Sequence, residues 1–366
     1  MSDPELDTPR VAHAAPAAAQ TTSAGLDDGV RPGYAAGDPV IVLATLTLGA
    51  AVGLGVASMF PAYLSGLSIA SQPDLVAAHA IPLAGWLAAA VLVATARRGA
   101  RQLGGLVGVG IGVVELGFLL SDAGTVFSGG GHLGGAGLVL ATLEWLLATG
   151  ACALVVARSG TLTIDRPLRR RRLGNETGAS RPRVDRHSRT TGWVAAAAAV
   201  VAAGLYAPPW DRLVVDLTAV GRTTVVTAGN AFANPAPVVV GNVVVIACLA
   251  ALPLAALVLH PRRLGGALLA GGVVAAASQV VSALVQWREP VPPSEFGLSA
   301  QAATASGLQA STGFTPMFYG FVAAVLVLGI VAVARLLRDP DRQEPTHLAP
   351  VHEIPTRRPF SPTPHY

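Results

Sequence analysis

No lysine occurs in the 366 residues; all 25 basic side chains are arginine. That excludes chemistry built on a lysine, such as a Walker-type phosphate loop, a Schiff base or a kinase-type ATP clamp. Charge of either sign is scarce. It makes up 13% of the residues, against about a quarter in soluble domains, so an ordinary cytosolic globule is excluded as well. The 2 cysteines, Cys152 and Cys248, are too few for a disulfide framework or a thiolate metal site. Both lie in apolar stretches, where a thiol behaves as a small hydrophobe. No HExxH, CxxC or GxSxG motif is present, and no glycine fingerprint of nucleotide binding follows a strand pattern. The outer-face acids Asp74, Asp122, Asp211, Asp216 and Glu289 form no constellation. No enzyme, cofactor or metal is therefore expected.

What the chain has is apolar length. Hydrophobic residues make up 52% and the mean hydropathy is +0.55. Stretches of about 17–25 residues, enough to cross a bilayer core as helices, recur at residues 39–60, 75–96, 103–120, 133–157, 193–206, 238–259, 264–287 and 317–337. The fifth is short and alanine-rich. The expectation is an all-α integral membrane protein with eight transmembrane helices.

Arginine placement orients it, because short basic loops stay in the cytoplasm. With both termini inside, 22 arginines fall on the cytoplasmic side and only Arg212, Arg222 and Arg288 on the other. The reading is N-in and C-in, in the cytoplasmic membrane of a bacterium. Residues 1–38 carry no signal-peptide pattern, so the first span is expected to act as an uncleaved anchor. Residues 1–38 and the proline-rich 338–366 are expected to be disordered cytoplasmic tails.

The basic linker 158–191 divides the chain into halves at 39–157 and 192–337. Arg97–Gly105 contains an arginine cluster followed by Leu103-Gly104-Gly105, and His260–Gly266 contains one followed by Leu264-Gly265-Gly266. Phe60-Pro61-Ala62-Tyr63 likewise resembles Pro208-Pro209-Trp210. These matches suggest two parallel four-helix repeats, a form known in transporters. The second half has long outer loops at 208–237 and 288–316. In the first of these, Leu213, Val214, Leu217 and Val220 are spaced as on one face of a short amphipathic helix.

Three further groups carry expectations. Arg169, Arg170, Arg171 and Arg172 form a cluster suited to anionic lipid headgroups or an acidic protein partner. Nucleic acid is not expected, because no aromatics are interleaved for base stacking. Gly104, Gly108 and Gly112, and separately Gly49 and Gly53, form small-residue ridges for helix packing or for a homo-oligomer contact.

The last group is acidic. Glu115 and Glu144 each lie thirteen residues from the cytoplasmic edge of consecutive antiparallel spans, both about 20 Å deep. Two carboxyls meeting at low dielectric would share a proton or a cation. The alternative is packing, with a glutamic acid bonded to a carbonyl or to Thr142. The second half offers no matching acid, only Gln279 between Ser278 and Ser282, together with Asn242. Because polar lining is sparse, the leading expectation is a non-enzymatic accessory or scaffold component of cell-envelope machinery. A proton- or cation-coupled small-solute transporter using Glu115 and Glu144 is the alternative.

Overall fold

A computed structural model describes residues 38–95, 97–128, 134–159, 163–164, 186–217, 221–287, 299–305 and 307–337. Arg169–Arg172 and His132, with nearly all of both tails, lie outside them.

Among the described residues seven helices are long and apolar enough to cross a membrane. They are α1 Pro39–Ser58, α2 Pro73–Ala94, α3 Arg98–Phe127, α4 Ala136–Ser159, α6 Ala236–Val258, α7 Arg262–Gln286 and α9 Pro316–Leu336. α5, Arg186–Tyr206, has a shorter apolar part, Thr190–Tyr206. α8 is the six-residue Ala300–Ala305. The protein is a multi-pass membrane protein. Leu43, Leu46, Val91, Val139, Val200, Leu326 and Ile330 all face outward, which suits helices solvated by lipid rather than water.

The helices pack in two rings of the same order. α1 meets α2, α2 meets α3, α3 meets α4, and α4 returns to α1; α5, α6, α7 and α9 close in the same sequence. The rings join through α3 on α6, α3 on α7 and α2 on α7. Glycine permits the central crossing. A methyl on Gly110 would strike Leu268 O, Gly272 N and Gly271 Cα, and one on Gly271 would strike Val107 O, Ile111 N and Gly110 Cα. Each partner on α3 has its counterpart on α7 at a constant spacing.

The same correspondence runs outward. Gly104 abuts Ala89 O of α2, and Gly265 abuts Ala256 O of α6. Gly105 abuts Cys152 and Val155 of α4, and Gly266 abuts Ala332 and Arg335 of α9. Cys152 is buried, Cys248 half-buried, and both thiols are free.

One end of the bundle gathers arginines. Arg101 is buried and donates from Nε to Thr95 O at 2.7 Å. Arg335, also buried, donates from Nη1 to Ala256 O at 2.7 Å. Each guanidinium sits where a helix ends and its last carbonyls lack partners. At this end β3, Thr163–Ile164, pairs with β6, Leu259–His260.

The opposite end corrects the sequence reading. Residues 211–217 and 222–228 are not an amphipathic helix but a hairpin, β4 Asp211–Leu217 with β5 Arg222–Ala228. β7, Leu308–Phe314, pairs with the other edge of β4 and gives a sheet of order β5-β4-β7. The physical reason lies in composition. Val214-Val215 and Thr223-Thr224-Val225-Val226-Thr227 are β-branched runs that favour a pleated surface. Gly221, at φ +61°, supplies the left-handed backbone that begins the return strand.

The first half has a smaller form of the same joint. Its connection at this end holds β1 Ala62–Leu64 and β2 Leu67–Ser68. Leu64 forms an isolated bridge with Gly134 where Asp211 pairs with Phe314. Gly135 N donates to Tyr63 O at 2.9 Å, and Thr315 N to Trp210 O at 2.8 Å.

Of the glycine ridges, Gly104, Gly108 and Gly112 are buried against neighbouring helices. Gly49 and Gly53 meet nothing within 4 Å and lie on the exposed face of α1, so they pack against none of the described residues.

Candidate functional site

The site is built from α1, α3 and α4 of the first ring. α3 and α4 run antiparallel, pinned by contacts that fix their register. Gly105 and Gly108 lie against Cys152, and Gly112 lies against Thr149. Trp145 Nε1 donates to Gly112 O at 2.7 Å. One turn farther from the arginine end, this register brings Glu115 of α3 to the level of Glu144 of α4. Both carboxyls are drawn into the bundle, and Glu144 is near enough for its charge to act on Glu115.

Their surroundings offer no counter-charge. No arginine among the described residues acts on either carboxyl. Glu115 Oε1 is sealed from solvent and has no hydrogen-bond partner, as is Thr149 Oγ1 one turn below. Glu144 is 9% exposed, and its carboxyl occupies the space where Gly55 of α1 has no side chain; a methyl there would overlap Oε1. Thr142, expected as a packing partner for the acid, instead donates to Leu138 O at 2.8 Å. A buried carboxylate needs donors, and a buried carboxylic acid needs one acceptor. Among the described residues neither need is met by a hydrogen bond.

Sequence reasoning missed two members of the neighbourhood. Asp122, placed among the outer-face acids, is a half-buried residue near the end of α3, and its charge acts on Glu115. Its Oδ2 accepts the Tyr63 phenol at 2.6 Å. Tyr63 is fully buried. The available signal was the seven-residue interval from Glu115 to Asp122, close to two helical turns.

The second ring holds no such site. The spacing that pairs Gly110 with Gly271 sets Ala276 opposite Glu115 and Ala283 opposite Asp122, and the α4–α9 correspondence sets Ala324 opposite Glu144. Ser278 is buried and donates to Ala275 O at 2.7 Å. Asn242 is buried and donates to Ala231 O at 2.8 Å. A small cavity lined by Val114, Leu249, Leu252, Val325 and Leu328 is wholly apolar. Asp74, Asp211 and Asp216 lie apart from the cluster at the sheet end; partial burial pushes the Asp211 carboxyl above its ordinary value. Glu289 lies outside the described residues. Among the described residues no three His, Cys, Asp or Glu converge as metal ligands.

Compared with protein families, curated proteins and solved structures, the chain matches none.

Proposed function

We propose that the chain is a proton-handling carrier of a bacterial cytoplasmic membrane, with Glu115 and Glu144 as its proton-binding pair. One observation carries this reading. The two carboxyls lie at one level of the bundle, near enough for the charge of Glu144 to act on Glu115, and among the described residues neither has a hydrogen-bond partner. Carboxyls turned to lipid would have spoken against it. A proton shared between the two acids satisfies both with a single added charge, and a monovalent cation is the other ligand the pair suits. Ionisable groups at such depth are costly to keep and are typical of proton relays.

The architecture proposed with it is eight crossings, α5 included, in two parallel four-helix halves with both termini cytoplasmic. The matched order of the two rings, the reciprocal Gly110–Gly271 crossing and the paired Tyr63–Gly135 and Trp210–Thr315 hydrogen bonds support a duplication. The 22-to-3 arginine distribution supports placing the sheet end outside. The duplicated halves have then diverged, with acids in one and alanines in the other. Arg169–Arg172 are assigned to anionic lipid headgroups.

The second reading is an accessory component of cell-envelope machinery, which led on sequence alone. The sheet favours it. Residues 222–227 of β5 form an exposed edge strand, a place where another chain can add a strand.

The test is proton uptake into liposomes containing the purified protein and a pH-sensitive dye, under an imposed proton or sodium gradient. The parent is expected to carry flux, and Glu115→Gln/Glu144→Gln to lose it. A silent parent, or an indifferent double variant, overturns the carrier reading and leaves the accessory role.

A further inference from the structure

Asp122 stands almost two turns beyond Glu115 on one stripe of α3, a rise of about 10 Å toward the sheet end. Its carboxyl is held by the Tyr63 phenol at 2.6 Å. The Tyr63 ring in turn meets His79 of α2 edge-on, with centroids 5.1 Å apart. His79 Nδ1–H donates to Leu75 O at 3.1 Å, which fixes the tautomer and leaves Nε2 as an acceptor. Exchangeable groups therefore stand at intervals between the Glu115–Glu144 pair and the sheet end, with about 10 Å of rise between Glu115 and Asp122.

The other direction is packed differently. Toward the arginine end the seam between α3 and α4 is filled by Trp145 on Gly112, Thr149 against Gly112, and Cys152 with Trp86 against Gly108. Past the Thr149 hydroxyl these contacts offer the buried Cys152 thiol and no carboxyl, imidazole or phenol. The second ring supplies an internal comparison. Trp210, in the place of Tyr63, packs against Phe321 at 4.7 Å and Phe318 at 5.7 Å between ring centroids. Its indole N–H donates to Leu205 O at 2.8 Å. That joint is an apolar plug over alanines, whereas the first is a hydrogen-bonded aromatic over an acid.

We propose that Tyr63, Asp122 and His79 form a one-sided entrance that connects the Glu115–Glu144 pair to the extracytoplasmic face, with Asp122 as a third proton-binding group. The inference rests on the proton reading of the glutamate pair. A proton moves from water at the sheet end to the Asp122 carboxylate, and from there through bridging water to a glutamate carboxylate. No bond other than O–H forms or breaks. The titratable groups facing this path are His79 from α2, Glu115 and Asp122 from α3, Glu144 from α4, Tyr63 from β1 and Tyr206 from α5. α1 contributes Gly55 and Ser58 and no charge.

Sidedness can be read without any transport assay. The full chain, with Cys152→Ala and Cys248→Ala, carries Asp122→Cys in bacterial spheroplasts and in inside-out vesicles. Each preparation is treated with a membrane-impermeant methanethiosulfonate. Modification is expected from the spheroplast side, and adding Tyr63→Trp, which copies the plug of the second ring, is expected to abolish it. Modification from the cytoplasmic side only, or from neither side, overturns the entrance.

Asp122→Asn is measured in the liposome assay alongside. Loss of most of the flux supports the entrance. Full flux in Asp122→Asn with flux lost in Glu115→Gln/Glu144→Gln overturns the entrance and leaves the glutamate site standing. No flux in the parent overturns the glutamate site itself.

Discussion

Gly49 and Gly110 are both mid-helix glycines, yet an added methyl group meets opposite surroundings at the two positions. At Gly110 it strikes Leu268 O and the backbone of α7, and at Gly49 it meets nothing within 4 Å. Overpacking a backbone crossing costs about 1–3 kcal/mol, and neither α3 nor α7 can yield without moving the other. Alanine for an exposed helical glycine instead contributes up to about 1 kcal/mol through helix propensity. Gly110→Ala and Gly271→Ala are therefore expected to lower the thermal midpoint of the purified protein, while Gly49→Ala and Gly53→Ala leave it level or raise it. Equal effects at the two pairs would contradict the close crossing. The same contrast explains what could be read at single positions. Glu115 and Glu144 stood out because an acid deep in an apolar run is costly whether it packs or binds a proton. Asp122 did not, because a span boundary drawn at Leu120 put it in water, whereas α3 continues to Phe127. Gly55 gave no local sign at all; its role is to leave room for a carboxyl from a helix almost ninety positions away.

At the scale of elements, the helices were legible and the sheet was not. A span announces itself by length and lack of charge within its own residues. β4 needs β7, nearly a hundred residues on, to become the centre of a sheet, and no local pattern carries that pairing. Leu213, Val214, Leu217 and Val220 satisfied a helical spacing by accident, while the β-branched content of the same stretch pointed the other way. The register provides a test. Val215 lies opposite Ala310, and Val214 opposite Ser311. In the Cys152→Ala/Cys248→Ala background, Val215→Cys/Ala310→Cys is expected to form a disulfide without added oxidant when the chain is expressed in a bacterial membrane, since cross-strand Cβ atoms lie about 4.5–5.5 Å apart and the sheet end is assigned to the oxidising side. Mass analysis of the linked peptides reads it directly. A link that forms only after an oxidant crosses the membrane would place the sheet on the cytoplasmic side, and a link that never forms would refute the register.

For the whole molecule, the arginine-rich linker was the clearest punctuation in the sequence, and the rings on either side of it pack in the same order. Leu-Gly-Gly after each arginine cluster was the sequence sign behind the proposed duplication, and those glycines make matching backbone approaches, Gly104 on Ala89 O and Gly265 on Ala256 O. The joint between the rings was not readable, since Gly110 and Gly271 look like any other glycines in a glycine-rich helix. If that joint holds two modules that each close on themselves, the covalent linker is dispensable. The chain divided at Arg172, with both pieces expressed together and only the first carrying an affinity tag, is expected to yield the second piece in stoichiometric amount. Lipid tails are as apolar as the helix faces, so no hydrophobic drive holds helices together in a bilayer and such association depends on close backbone packing. Gly110→Leu with Gly271→Leu is therefore expected to release the second piece while each still inserts, as judged by its resistance to alkaline extraction from membranes. Co-purification that survives the double substitution would move the joint elsewhere, to α2 on α7 or α3 on α6. Pieces that never associate would mean that the rings are held together by the chain and not by their faces.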